Sequence, residues 1–212
     1  MSEDATLPVS AEIAATAGYS AEVHRRFASL PAANIGDAMK RLYVLEAEIA
    51  PAWRGARMVG PAFTVLTAGG DNEYLHKAIA AAAPGDVIVV DGQAATHRAL
   101  IGELMAGRAQ AKGIAGIVID GAIRDAHDIG KLGMPVWARA ETPAGPYRNG
   151  PGHLQRPISA GRVVVRPGDI IVGDDDGVVV VRLEELDEIL LGAEAKFESE
   201  TKIRAAIGSV TA

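Results

Sequence analysis

The sequence of 212 residues contains no cysteine. That absence removes disulfide frameworks, thiol nucleophiles and cysteine-ligated zinc from consideration. Aromatic residues are scarce at 4%, so a core has to be built from closely packed Val, Ile, Leu and Ala, and stacking platforms for nucleobases are lacking. Positive charge is in deficit as well. With 27 acidic residues against 21 basic ones the formal net charge is -6, which opposes condensation on a phosphate backbone. No apolar run reaches the ~18 residues a membrane-spanning helix requires, and the start Met1-Ser2-Glu3-Asp4 is acidic where a secretory leader is basic. These shortages predict a cytoplasmic protein that engages neither nucleic acid nor membrane.

Several catalytic signatures are missing too. The chain has no Gly-x-Ser-x-Gly elbow, no Walker lysine loop and no Gly-x-Gly-x-x-Gly after a strand, which disfavours serine hydrolases, nucleoside triphosphatases and dinucleotide enzymes. The histidines, His24, His76, His97, His127 and His153, show no His-x-x-x-His spacing for zinc.

What is present is an apolar fraction of 49% with 24 Gly and 11 Pro, the composition of a globular domain. The first fifty residues read as helical: Ala11 to Leu30 is Ala-rich, and Asn34 can cap a second helix through Ile35, Ala38, Met39 and Leu42, ending by Pro51. From Arg57 the texture changes to short apolar runs between Gly and Pro. Met58 to Leu66, Asp86 to Asp91 and Ile114 to Asp120 read as buried strands, with helices over Asn72 to Ala83 and Ala99 to Lys112, an α/β alternation of the βαβ kind. After Pro135, the segments Arg162 to Val165, Ile170 to Val172 and Val178 to Val181 are separated by Pro-Gly and Asp-Gly turn formers and predict antiparallel hairpins. The last segment, Leu183 to Ile207, is a charged helix whose sparse stripe of Leu186, Ile189, Leu190, Phe197 and Ile203 can dock on the chain's own core or on a neighbouring subunit.

The chemistry concentrates in two stretches. Ile117-Val118-Ile119 runs into Asp120-Gly121, a predicted turn that delivers Arg124 and Asp125 at a strand's carboxyl end, where open α/β sheets place their ligands. Gly102-Glu103-Leu104-Met105 lies near a helix start, whose unpaired amides can hold a carboxylate. Spacing alone also permits a plain turn with a solvated Arg124-Asp125 pair. The triple-acid run Asp174-Asp175-Asp176-Gly177 reads as a hairpin turn rather than a metal cluster, because consecutive acids point in different directions.

Taken together and in order, Gly70-Asp71-Asn72, the run from Pro84 to Asp91, Gly102-Glu103-Leu104, the run from Gly113 to Gly121 with Arg124-Asp125, and the run from Pro167 to Asp174 with Asp176-Gly177-Val178 resemble one family. It contains 4-hydroxy-4-methyl-2-oxoglutarate aldolase and the regulator of ribonuclease E activity A, and the similarity runs from about Asn34 to Val181. The resemblance implies a swivelling β/β/α domain, here residues 51–182 of a single domain, with extra helices at 1–50 and 183–212. It implies homotrimers or homohexamers with active sites between subunits. It further implies a class II, divalent-metal-dependent pyruvate aldolase. Its substrate would be 4-hydroxy-4-methyl-2-oxoglutarate or 4-carboxy-4-hydroxy-2-oxoadipate, cleaved to pyruvate and a second keto acid, with oxaloacetate decarboxylation as a side activity.

Carried onto this sequence, the resemblance makes Asp125 the ligand of Mg or Mn and gives Arg124 the keto-acid oxygens. The amides of Gly102, Glu103, Leu104 and Met105 would bind substrate, and Glu103 would orient a water. An acid from a neighbouring subunit's C-terminal helix would complete the site; Glu194, Glu198 and Glu200 are candidates, with Glu200 preferred by position. The competing expectation comes from the regulator branch, a non-catalytic protein that docks on a ribonuclease. A methyltransferase reading, sometimes attached to this family, is rejected because no glycine-rich nucleoside-binding loop is present.

Overall fold

The computed structural model describes residues 10–210. In chain order these form α1 (Ser10–Thr16), α2 (Ala21–Ala28), α3 (Ala32–Ala38), β1 (Ala50–Pro51), β2 (Met58–Thr67), α4 (Glu73–Ala81), β3 (Val87–Ile101), α5 (Glu103–Ala111), β4 (Gly116–Ile123) and α6 (Ala126–Leu132). There follow β5 (Val136–Glu141), β6 (Gly152–Leu154), β7 (Ile158–Ala160), β8 (Val163–Val165), β9 (Ile170–Asp174), β10 (Gly177–Val181) and α7 (Leu186–Val210). None of the described helices is long and apolar enough to cross a membrane.

The Val/Ile-rich strands β2, β3, β4 and β5 run parallel, joined through α4, α5 and α6. Strand β2 serves two neighbours. Met58 to Pro61 pair antiparallel with β9, and Ala62 to Leu66 pair parallel with β3, giving the sheet order β1-β5-β4-β3-β2-β9-β10 with β6 also on β2. Because alternate residues of a strand face opposite sides, each strand feeds two cores. Ile88, Val90, Ile117, Ile119 and Val136 pack under α4, α5 and α6. Val87, Val89, Val118 and Trp137 face Ile171, Val178 and Val180 of the β9–β10 hairpin. The outer face of that hairpin, through Ile170, Val172, Val179 and Val181, is covered by α2, α3 and the first half of α7. The result is the swivelling β/β/α arrangement with added N- and C-terminal helices.

Several expected elements are corrected. The helix expected over Ala11 to Leu30 is two helices, parted where Gly18 takes a left-handed φ of 94° and Ser20 caps α2 by accepting from the Val23 amide. Asn34 does not cap: Pro31 precedes α3, and Asn34 sits inside it, donating its side-chain amide to Glu200. The helix expected from Ala99 begins at Glu103, because β3 continues to Ile101 through register shifts eased by left-handed Gln93 and Ala94. Asp120-Gly121 is not a turn. The strand β4 runs on to Ile123, with an irregularity against β5 between Ile119 and Ala122, and Asp120 is buried. Val163–Val165 pairs with β7, whereas β9 and β10 form the expected hairpin around Asp175 and Asp176. In that turn Asp174 accepts from the Asp176 and Ala32 amides, and Asp175 accepts from the Gly55 amide.

Helix α7 divides in two. Leu186, Ile189, Leu190 and Ala193 are buried on the chain's own core, whereas Ile203 and Ile207 are exposed.

Candidate functional site

The carboxyl ends of β3 and β4 are stapled where the Arg124 amide donates to the Ile101 carbonyl at 3.0 Å. Asp125 follows in the left-handed region, at φ 59° and ψ 31°, a conformation that Asp tolerates better than most side chains. Its carbonyl accepts from the Asp128 and Ile129 amides and starts α6, while its Oδ2 accepts from the Glu103 amide at 3.2 Å and lies 3.6 Å from Arg124 Nε. Gly102 makes the convergence possible. A Cβ there would stand 2.4 Å from Asp125 Oδ2 and 2.9 Å from Arg124 Cγ, distances only glycine avoids.

These residues sit in a cleft of about 230 Å³ whose walls include Asn72 and His76 of the α4 start, Leu100, Ile101, Leu104, Met105, Arg108 and Pro146. Asn72 donates to the Leu100 carbonyl and to Met105 Sδ, tying α4 to α5. The neighbouring Asp71 is buried and accepts from the amides of Glu73, Asn149 and Gly150. Burial pushes its carboxyl up, but the three amide donors outweigh this and hold it below the ordinary range. Through Asp71, and through Arg98 bonded to the Gly145 carbonyl and stacked on Tyr147, the 142–150 loop is held along the cleft. His76 is held below its ordinary pKa first by burial and then by the cations Arg148 and Arg108.

The architecture and the sequence agree with known proteins. The family model described as "RraA-like: Aldolase/RraA" matches residues 32–180. The chain belongs to the RraA-like family. A Halalkalibacterium halodurans protein named "Putative 4-hydroxy-4-methyl-2-oxoglutarate aldolase" is 41% identical over 188 residues, covering 88% of this chain and 90% of its own. Among solved RraA-like structures, an RNase ES inhibitor family member from Streptomyces coelicolor superposes with a TM-score of 0.78 at 29% identity, covering 87% of this chain and 96% of its own. The RNA-processing inhibitor RraA from Thermus thermophilis gives 0.66 at 28% identity, covering 71% and 92%.

Within this RraA-like chain the predicted residues fall as follows. Gly102, Leu104, Met105, Arg124 and Asp125 all line the one cleft. Glu103 is half-buried at its edge and is not part of the lining. Of the four amides expected to bind substrate, that of Glu103 is engaged by Asp125 and that of Met105 donates to the Gly102 carbonyl at 3.2 Å. The acids of α7 are paired within the chain: Glu194 with Arg26, Glu198 with Lys202, and Glu200 with Asn34 at 3.0 Å, Arg204 at 3.5 Å and Lys196 at 4.0 Å. His127 lines a different hollow, with Trp53, Lys131 and Glu141.

The sequence reading missed Asn72, His76 and Arg108 as cleft residues. A signal existed for each: Asn72 and His76 are four apart at the start of α4, and Arg108 is four beyond Leu104 on α5, spacings that place them on one helical face.

No group of three or more His, Asp or Glu forms a metal cage among the described residues. A single carboxylate in an open cleft nevertheless suits Mg or Mn, hard ions that keep several waters and need one or two protein oxygens. The bare Cα of Gly102 keeps the space beside Asp125 Oδ2 clear of a side chain.

Proposed function

We propose that the chain is a divalent-metal-dependent class II aldolase that cleaves 4-hydroxy-2-oxo diacids, such as 4-hydroxy-4-methyl-2-oxoglutarate, to pyruvate and a second keto acid. The observation that carries this reading is the convergence of Arg124 and left-handed Asp125 on Gly102 at the ends of β3 and β4. Asp125 would hold Mg or Mn; when bound, that ion supplies positive charge where an enolate oxygen develops.

The remaining work falls to the chain. Arg124 donates to the C1 carboxylate and C2 oxygen, and it stabilises the enolate more than the ketone because the negative charge is then full. Leu100, Ile101 and Met105 exclude water from one side of the substrate. Loss of the 4-hydroxyl proton sends the C3–C4 bonding pair toward C2, releasing the second keto acid and leaving pyruvate enolate. That enolate takes a proton at C3. Glu103 is our candidate for orienting the water that carries one or both of these protons, and Glu200 of a second copy, in a trimer or hexamer with shared sites, would act on the same water. Oxaloacetate decarboxylation passes through the same enolate and is expected as a side activity.

The test is pyruvate release from 4-hydroxy-4-methyl-2-oxoglutarate and from oxaloacetate, with Mg and with excess chelator, in wild type and Asp125→Ala. Metal-dependent release lost in Asp125→Ala is expected. No pyruvate from either substrate would sink the aldolase reading and favour a binding protein that restrains a ribonuclease.

A further inference from the structure

Arg124 is one of two arginines on the wall of the cleft. The α5 wall runs on past Leu104 to Arg108, four residues further on the same helical face and about 6 Å further along the axis. His76 of α4 lines the cleft as well. Arg108 is exposed and makes no ion pair with any acid among the described residues. Its guanidinium is close enough to His76 to act on that imidazole, together with Arg148. In a chain of net charge -6, the cleft therefore carries two guanidinium groups on its wall. Arg124 faces the carboxylate of Asp125; Arg108 faces no acid among the described residues.

A planar fork of donors without an internal acceptor, at the rim of an apolar-walled cleft, is suited to a carboxylate brought by a ligand. We infer that Arg108 determines specificity by recognising the carboxylate beyond C4 of a 2-oxo diacid whose C1 end is held at Arg124, with the His76 imidazole as a second polar contact. This inference rests on the aldolase reading above; it adds which residue selects diacids over monoacids.

The test separates the two readings by using ligands that cannot react. 2-Oxoglutarate has the five-carbon diacid frame but no 4-hydroxyl to deprotonate, and 2-oxopentanoate replaces its distal carboxylate with a methyl group. Both are titrated calorimetrically into the full chain with Mg. Wild type is expected to bind 2-oxoglutarate tenfold to a hundredfold more tightly, the range of one charge-assisted hydrogen bond. Arg108→Gln is expected to bring the two ligands within about twofold by weakening 2-oxoglutarate alone, and Arg108→Lys to keep part of the preference. Retained binding of 2-oxopentanoate by Arg108→Gln shows that the cleft is intact. A preference that survives in Arg108→Gln, or wild type binding both ligands equally, overturns the inference and leaves the aldolase reading standing. Failure of wild type to bind either ligand overturns both.

Discussion

Two arginines near the carboxyl ends of neighbouring strands, Arg124 and Arg139, live in opposite circumstances. Arg139 on β5 is clamped: its Nε donates to Asp120 at 2.7 Å and its Nη2 to Glu46 at 2.6 Å, with the side chain only 16% exposed. Asp120 in turn accepts from the Gly161 amide at 2.7 Å, so the β7–β8 turn is tied to the sheet. The hydrogen bond that Arg139 donates to Asp120, set against the cost of burial and joined by the one to Glu46, holds Arg139 firmly protonated. Arg124 has one acid, Asp125, at 3.6 Å, and is 45% exposed. The contrast separates scaffold from site. A charge whose partners are all internal has nothing left to offer a ligand, whereas a loosely paired one at the rim of a cleft keeps its donors available.

The comparison can be broken from either side. Asp120→Ala would leave Arg139 with Glu46 alone and the buried Gly161 amide without its acceptor, and it is expected to cost about 3–5 kcal/mol of stability, a fall in melting midpoint on the order of 10 °C. Thermal unfolding that stays near wild type would show that the clamp is not structural. Arg124→Ala is expected to reverse the pattern. Pyruvate release should fall by two or more orders of magnitude, about 3 kcal/mol of barrier, while the unfolding free energy stays within about 1 kcal/mol because the pair it breaks is exposed and long. A large loss of stability with activity retained would exchange the roles assigned to the two arginines.

A smaller effect concerns a third charge. Asp86, fully buried before β3, accepts from the Ala83 amide, but burial dominates and pushes its carboxyl up to about 6. The folded chain therefore holds this proton more tightly than the unfolded chain, whose ordinary value is 3.8. The contribution is most favourable below about pH 4, is lost progressively as pH rises to about 6, and is constant above that. Its size is at most about 3 kcal/mol and is lowered by solvent screening of the carboxyl. Denaturant melts of wild type and Asp86→Asn between pH 4 and 7 should differ by that slope; parallel curves would show that Asp86 titrates normally.

How much of this was written in the sequence depends on the range over which each feature is decided. The strands β2 to β4 and helix α4 were legible because their apolar runs and flanking Gly and Pro act locally. The end of β3 was not, since its last residues stay extended only by pairing Ala99 and Ile101 with β4. Asp120-Gly121 has the composition of a turn, but burial of Asp120 against Arg139 keeps it in the strand. For the site, the linked motifs pointed to Gly102, Arg124 and Asp125, which the fold brings together. His76 and Arg108 escaped because neither belongs to a motif, and only the packing of α4 beside α5 makes them neighbours. Glu200 shows the reverse: its position on α7 was foreseen, whereas its bond to Asn34 inside the chain was not.

Gly102 also offers a rule for sorting related sequences. Any side chain at that place would collide with Asp125 and Arg124 at once, so the two charged groups and the start of α5 cannot drift separately. A relative with the same strands and helices but a larger residue aligned to Gly102 is expected to have surrendered this pairing of Arg124 and Asp125 while keeping the fold. On the proposed function, inspecting that one column would then separate relatives able to perform the aldol chemistry from those that only bind.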